Sequence, residues 1–203
     1  MKLKTFGQAA LGALLISSSF AASAFEDGDW LIRFGGSNVD PKSTNGDVVS
    51  VDSDTSITFN ATYMLTESWS LELLAATPFE HAINLKDTNT RVGETKHLPP
   101  TFSVNYHFLP NADFRPYVGI GINYTNFFDE ETTGPLAGDD LSLDDSWGLA
   151  GQVGLDWLLN ERWFININAR WIEIETDAFV NGDFLETVEI NPFVYGAHVG
   201  FRF

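Results

Sequence analysis

Apolar and polar side chains alternate with a period of two along most of the chain after residue 25. In Trp163–Ile174, one face carries Trp163, Ile165, Ile167, Ala169 and Trp171, and the other face carries Phe164, Asn166, Asn168 and Arg170. Successive side chains of a β-strand point to opposite faces, so this pattern predicts strands. Eight segments show it, near residues 30–34, 57–65, 69–75, 102–108, 118–124, 147–158, 163–174 and 193–203.

The connections between these segments alternate strictly between short and long. Three are tight turns: Thr66–Ser68, Pro110–Phe114 and Asn160–Arg162. Four are long and polar: Asp40–Asp54, Glu80–Lys96, Asp129–Asp145 and Asp177–Glu186. This is typical of an all-β, eight-stranded antiparallel up-and-down transmembrane β-barrel with four long extracellular loops. The even strand number places both termini on the periplasmic side.

The aromatic side chains favour an apolar exterior over a soluble barrel with an apolar lumen. The apolar faces carry most of the Trp, Tyr and Phe, and an eight-stranded lumen is barely wide enough for ordinary side chains. Trp147 and Trp157 lie on one face of one segment, about 25 Å apart in height on a tilted strand. That height matches the lipid-facing band of an outer-membrane barrel.

The first 24 residues have the features of a secretory signal peptide. Lys2 and Lys4 precede a small, apolar run that ends in Ala22-Ser23-Ala24, which is typical of a cleavage site. We therefore expect residues 1–24 to be removed and residues 25–203 to form the barrel in the outer membrane of a Gram-negative cell.

Charge and composition exclude several classes of function. The formal net charge of −17 argues against a nucleic-acid partner, and the absence of cysteine excludes disulfides and thiolate metal sites. Nineteen of the 28 acidic residues fall in residues 40–54, 80–96, 129–145 and 175–189. Solvation of the loops explains them, with divalent cations at Asp139-Asp140 or Asp144-Asp145, or bridging to lipopolysaccharide, as the alternative. We predict no cofactor and no dedicated metal site.

The inward face divides into a polar and an apolar half. Near the periplasmic end, we expect buried charges to pair and to form a plug, with Arg33 and Arg202 balancing Glu72 and Asp156. The predicted plug comprises Arg33, Glu72, His107, Asp156, His198 and Arg202. Towards the outside, the inward residues form an apolar pocket that suits a small hydrophobic ligand: Leu74, Ala76, Ile172, Ile174, Ile190 and Val194.

Three prolines indicate a lateral opening in the barrel wall. Pairing Trp69 with Leu109 would set Pro78 opposite Pro100, with Pro99 beside it. Proline cannot donate to a ladder, and unpaired backbone is costly in lipid, so a gap here has a purpose. The alternative is a bulge at the barrel rim without a transport role.

Four stretches resemble the outer membrane protein W (OmpW) family, to which the alkane-uptake outer-membrane porins are related. They are LELLAATPF (Leu71–Phe79), HLPPT (His97–Thr101), RPYVGIGINYTNFFD (Arg115–Asp129) and DSWGLAGQVGLDWLLN (Asp145–Asn160). The resemblance implies uptake of small hydrophobic molecules through a side opening. Leu74 matches a position that narrows the lumen, and Arg170 falls on a gate position that is aromatic in some members.

The function that the sequence favours is passive uptake of small hydrophobic molecules. The alternative is a non-transporting barrel that acts as a scaffold or as a receptor for phage, colicin or adhesion through its loops. An enzyme is not expected, because Ser103 and His107 share a strand face about 13 Å apart. Expected partners are outer-membrane lipid, lipopolysaccharide, a hydrophobic ligand, and the outer-membrane assembly machinery through the terminal Phe203.

Overall fold

The computed structural model describes residues 25–42 and 46–203, so the predicted signal peptide lies outside the described residues. Within them no helix is long and apolar enough to span a membrane. The described chain forms fourteen strands: β1 (Trp30–Asp40), β2 (Val49–Val51), β3 (Asp54–Met64), β4 (Trp69–Ala76), β5 (Phe79–Leu85), β6 (Thr90–Leu98), β7 (Thr101–His107), β8 (Phe114–Thr132), β9 (Leu141–Leu143), β10 (Ser146–Leu158), β11 (Trp163–Ile172), β12 (Glu175–Val180), β13 (Asp183–Glu189) and β14 (Phe193–Arg202).

Eight of these strands close into a barrel. They follow one another antiparallel in the order β10-β11-β14-β1-β3-β4-β7-β8, and β8 pairs back with β10 through Ser146–Trp157. Closure leaves no open edge, which is what a lipid-exposed sheet requires. The predicted eight-stranded up-and-down barrel is confirmed. Because Leu31 pairs with Arg202, the start of β1 and the end of β14 lie at the end with the tight turns, here called the short-turn end. The opposite end is the long-loop end.

Aromatic side chains form two belts on the outside of the barrel. Near the long-loop end, Trp147 is 71% exposed and its ring lies 4.8 Å from that of Tyr124. Near the short-turn end, Phe114 stacks on Trp157 at 5.4 Å. Both pairs bridge the same two strands, β8 and β10. The belts therefore bound a lipid-facing band, with apolar side chains such as Ile120 and Leu149 exposed between them.

The long connections, predicted from the sequence only as long and polar, contain further strands. Glu80–Lys96 is mostly a β5–β6 hairpin that pairs with the upper half of β8, from Asn126 to Thr132. Strands β9, β12 and β13 form a second small sheet. Phe79, His81 and Ile83 alternate with more exposed residues and are buried, which continues the wall above the outer belt.

A cluster of buried apolar side chains closes the short-turn end. Phe25, at the start of the described chain, is buried and packs edge-on against Phe164 at 5.4 Å. Leu31, Met64 and Leu158 complete the cluster. The lumen is thus filled by apolar side chains at both ends, with polar groups between them.

The close fit of the lumen predicts a position-specific effect of small substitutions in β10. A Cβ on the inward-facing Gly154 would lie 2.3 Å from the Tyr117 ring, whereas a Cβ on Gly151, on the outer face, would meet nothing within 4 Å. We expect Gly154→Ala to lower the free energy of unfolding by about 1–3 kcal/mol through overpacking. Urea unfolding in lipid vesicles measures it. Equal stabilities of Gly154→Ala and the control Gly151→Ala would contradict this account of the lumen.

Candidate functional site

A buried ion-pair network crosses the middle of the lumen. The guanidinium of Arg33 lies between two carboxylates, with Nη1 2.9 Å from Glu72 Oε2 and Nη2 2.9 Å from Asp156 Oδ2. Arg33 also donates from Nε to Asp156 Oδ1 at 3.2 Å, so that pair is bidentate. All three side chains are at most 2% exposed. Charges this deeply buried require partners with good geometry, and Arg33 connects β1 to both β4 and β10.

Arg170 belongs to the same network. Its Nη2 lies 2.8 Å from Glu72 Oε1, and its Nε donates to Gln152 Oε1 at 3.1 Å. Two arginines therefore face two carboxylates, and the formal charges cancel. We call Arg33, Glu72, Gln152, Asp156 and Arg170 the central network. The position predicted as a gate is occupied by a side chain that is tied into this network.

The two lumen histidines lie beside the central network. His107 Nε2 lies 2.9 Å from Ser70 Oγ, and His198 Nε2 lies 2.7 Å from Thr58 Oγ1. Both rings are buried. His107 links the neighbouring strands β7 and β4, and His198 reaches across β1 from β14 to β3; each does so through a neutral hydroxyl group.

Arg202 does not balance Glu72 or Asp156 as the sequence analysis expected. Its Nε lies 2.6 Å from Asp29 Oδ2 and its Nη2 lies 3.3 Å from Glu26 Oε1. These acids belong to the segment before β1, which folds back over the short-turn end. The expectation was wrong because Arg170 supplies the second positive charge of the central network instead.

Two inward residues of β8 were missed by the sequence analysis. The buried Tyr117 accepts a hydrogen bond from Asn166 Nδ2 at 3.1 Å. The guanidinium of Arg115 lies 4.2 Å above the Phe25 ring. The alternation starting at the outward Val118 extends two more steps towards the short-turn end, and this would have placed both side chains inside. The contact with Phe25 has no signal in the sequence.

The predicted apolar residues lie on the long-loop side of the central network. Leu74 and Ile172 follow Glu72 and Arg170 by two residues, which is one inward position along each strand. Together with Ile174 and Val194 they line a narrow cavity, the inner cavity, in which the centre of a water molecule can move through about 10 Å³. Ala76 is half-buried beside it.

A second, larger apolar cavity lies further towards the long-loop end. In this outer cavity, the centre of a water molecule can move through about 40 Å³. Ile190, predicted as part of the lumen, lines it together with Ile83, Val92 and Leu143, which come from the long connections. The two cavities share the apolar cluster that fills this end of the barrel.

The proline segments coincide with a break in the strand ladder. The β4–β7 ladder ends at Leu74–Thr101 and the β5–β6 ladder begins at Phe79–His97, and the described registers contain no pair between these two. The other edges stay attached, since Thr77 N donates to Ile57 O at 2.9 Å, and Asn123 Nδ2 donates to Pro99 O at 3.1 Å. The break is therefore confined to one seam of the wall.

The register at this seam differs from the predicted one. Trp69 pairs with Tyr106 rather than near Leu109, and Pro78 is accordingly not opposite Pro100. Residues directly opposite in a ladder point to the same side, so the outward Trp69 opposes the outward Tyr106. Leu109 lies in the turn beyond the end of β7 at His107 and is 61% exposed. Pro78 is exposed at the point where β4 gives way to β5, while Pro99 lines the inner cavity and Pro100 is exposed.

The geometry and the comparisons with known proteins agree. A model of the OmpW family matches residues 26–203. The chain belongs to the OmpW family. Outer membrane protein W of Vibrio cholerae is 44% identical over 220 residues, spanning all of both chains. The crystal structure of the outer membrane protein OprG from Pseudomonas aeruginosa superimposes with a TM-score of 0.81 at 35% identity, covering 89% of this chain and 98% of OprG.

More distant relatives extend the OmpW family. Outer membrane protein AlkL of Ectopseudomonas oleovorans is 28% identical over 202 residues, covering 90% of this chain and 85% of AlkL. The dibenzothiophene metabolism operon protein PahQ of Pseudomonas aeruginosa is 24% identical over 165 residues, covering 75% and 77%. This OmpW-family chain is a multi-pass protein of the Gram-negative outer membrane, and its relatives are outer-membrane barrels rather than enzymes.

The central network predicts a large cost for removing one of its carboxylates. Glu72→Gln would leave two buried arginines facing one acid, and breaking a buried pair costs about 3–5 kcal/mol. We expect the free energy of unfolding in lipid vesicles to fall by that amount. Glu80→Gln, a control on the exposed face of β5, should change it by less than about 0.5 kcal/mol. Equal changes in the free energy of unfolding for the two variants would show that the ion pairs of Glu72 do not stabilise the barrel.

Proposed function

We propose that this barrel is a passive channel that takes up small hydrophobic molecules and releases them sideways into the membrane. The observation that carries the proposal is the order of features along the lumen. The outer cavity, the inner cavity and the ladder break follow one another on the long-loop side of the central network. Apolar side chains line the cavities, and paired charges lie behind them.

The central network supports a sideways exit. An apolar molecule that continued along the lumen would have to separate Arg33 from Glu72 and Asp156. The Arg33 guanidinium lies 2.9 Å from a carboxylate oxygen of each. Uncompensated charges in a low-dielectric interior cost several kcal/mol each. Beyond the network lies the packed cluster around Phe25 and Phe164. The path of lowest cost therefore leaves the inner cavity before the network.

The seam at the prolines provides that exit. Pro99 lines the inner cavity, and the neighbouring segments Ala75–Pro78 and Leu98–Pro100 carry no pairs of the β4–β7 or β5–β6 ladders in the described registers. Three of these seven residues are prolines, which have no N–H to leave unsatisfied in lipid. A wall built this way can part without exposing many backbone donors.

The same proposal orients the protein in the membrane. The acidic long-loop end faces the outside, beside the headgroups of lipopolysaccharide, and both termini face the periplasm. Phe203, which is exposed and donates its N–H to Trp30 O at 2.9 Å, is available at that end to the outer-membrane assembly machinery. The relationship to PahQ, named for dibenzothiophene metabolism, supports a polycyclic or otherwise apolar cargo.

A charge in the inner cavity should strongly slow the uptake of apolar molecules. We expect Leu74→Arg to reduce the rate of naphthalene uptake at least about tenfold in cells whose only copy of the barrel is the variant. An apolar solute entering the cavity would have to displace the water that solvates the guanidinium, which is costly. Leu74→Met, which conserves volume, should leave the rate within about twofold. Folding of both variants is checked by the electrophoretic mobility of unheated samples.

Unchanged naphthalene uptake by a folded Leu74→Arg barrel would contradict the transport proposal. The remaining interpretation would then be a non-transporting scaffold or a receptor that acts through its long connections. Wild-type uptake no faster than that of cells without the barrel would lead to the same conclusion.

A disulfide across the seam should close the exit. Ala75 and Pro100 are both exposed and come next after the Leu74–Thr101 pair, and the chain contains no cysteine of its own. In the double variant Ala75→Cys with Pro100→Cys, we expect oxidation to slow naphthalene uptake severalfold and reduction to restore it.

The matched control places the disulfide within the paired part of the wall. Leu73 and Phe102 are opposite each other in the ladder and both face outward. Oxidising Leu73→Cys with Phe102→Cys should not alter uptake. If the two disulfides have the same effect, the seam is not the exit.

A further inference from the structure

Two buried histidines lie between the outer and the inner cavity. The rings of His81 and His97 stack at 4.9 Å with 14° between their planes, and Phe79 stacks on His97 at 5.4 Å. Phe127 packs against His97 in a tilted arrangement, with 5.8 Å between the ring centroids. Both histidines are 2% exposed. His81 lines the outer cavity and His97 lines the inner cavity, so the pair marks their junction.

Three ring nitrogens of this pair have no hydrogen-bond partner among residues 25–42 and 46–203. They are His81 Nε2, His97 Nδ1 and His97 Nε2. His81 Nδ1 lies 2.5 Å from the carbonyl oxygen of Asp52, to which it donates a proton. In neutral His81 the other nitrogen, Nε2, is consequently a lone-pair acceptor. An unsatisfied buried polar atom is costly, and three of them together indicate a purpose.

Burial keeps both rings neutral. Burial, with a smaller contribution from the adjacent His81, lowers the pKa of His97 to about 3. Burial also lowers the pKa of His81 below its ordinary value, although the Asp52 carbonyl opposes the shift. Neutral His97 carries one N–H donor and one acceptor. The pair therefore presents two acceptors and one donor within mostly apolar walls, whose other polar groups are the hydroxyls of Thr58, Thr95 and Thr176.

We propose that His81 and His97 form the recognition site for the hydroxyl group of an amphiphilic cargo, an alcohol or a phenol. This inference rests on the proposed uptake function and narrows its substrate class. A hydroxyl group donates one proton and accepts another, so it matches an acceptor on one ring and the N–H of the other. A pure hydrocarbon would leave all three nitrogens unpaired.

Other ligand classes fit the pair less well. A carboxylate only accepts, and it would find a single donor. A metal ion needs lone pairs that converge, whereas stacked rings direct their in-plane lone pairs side by side. The part of the chain that the structure describes also contains no cluster of three or more potential metal ligands.

The test compares 1-naphthol with naphthalene, which have the same ring system with and without a hydroxyl group. The uptake rate of each is measured in cells that lack their own copy of the barrel and express either the wild-type barrel or the His97→Phe variant. This variant keeps an aromatic ring in contact with Phe79 and Phe127. We expect His97→Phe to slow 1-naphthol uptake about 3- to 10-fold, the range that one net hydrogen bond supports. Naphthalene uptake should not fall.

Two further variants separate hydrogen bonding from shape. His97→Gln retains a donor and an acceptor, and it should restore at least half of the 1-naphthol rate. Phe79→Leu removes an aromatic wall without changing polarity, and it should affect both probes equally. Equal slowing of both probes by His97→Phe, or no slowing of either, would overturn the inference. Wild-type cells that still take up naphthalene in that case would leave the uptake function itself intact.

A spectroscopic measurement on the wild-type barrel tests the same inference without a variant, so it does not depend on the variants folding. In lipid nanodiscs, 1-naphthol should shift the imidazole ¹⁵N resonances of His81 and His97, because new hydrogen bonds form at those nitrogens. Naphthalene at the same concentration should not shift them. Identical responses to the two probes would contradict the proposed site.

Discussion

The structure depends on one constraint: hydrocarbon offers no partner to a backbone N–H or C=O group. Eight strands meet it by closing on themselves, from β10 round to β8 and back. Against that background, the seam between Leu74–Thr101 and Phe79–His97 interrupts the described wall. Prolines reduce the number of donors there, and Asn123 caps the Pro99 carbonyl. The wall thus tolerates an interruption beside the apolar inner cavity, where an interruption is useful.

The lumen contains a charged layer, the central network, and apolar cavities on its long-loop side. The central network ties β1, β4, β10 and β11 together with a formal charge of zero, and it stands between the apolar cavities and the Phe25 cluster. The inner cavity begins one inward position beyond Glu72 and Arg170, at Leu74 and Ile172. On the proposed route, a hydrophobic molecule would meet apolar walls until it reached the seam, and ion pairs if it continued. His81 and His97 add the polar atoms between the two cavities.

Much of the architecture is predictable from local periodicity. Alternation alone assigns all eight wall strands and the inward placement of Arg33, Glu72 and Asp156. Three features needed more than local pattern. The register of Trp69 depends on ladder partners far along the chain. The return of Phe25 into the barrel depends on a finished lumen. Arg202 pairs with Asp29 because that segment folds back beside it. The ordered long connections and Arg115 could have been found by extending the alternation further along the chain.

The central claim is that an apolar molecule enters from the long-loop end and leaves before the central network. Paramagnetic relaxation by a small apolar nitroxide, measured by NMR on the barrel in lipid nanodiscs, tests it most directly. The account predicts strong relaxation of the methyl groups of Leu74, Ile172 and Ile174, continuing along the seam at Ala76 and Leu98. It predicts none for Leu31, Met64 and Leu158 beyond the network. Relaxation of those three methyl-bearing residues, or its absence at Leu74, would contradict it.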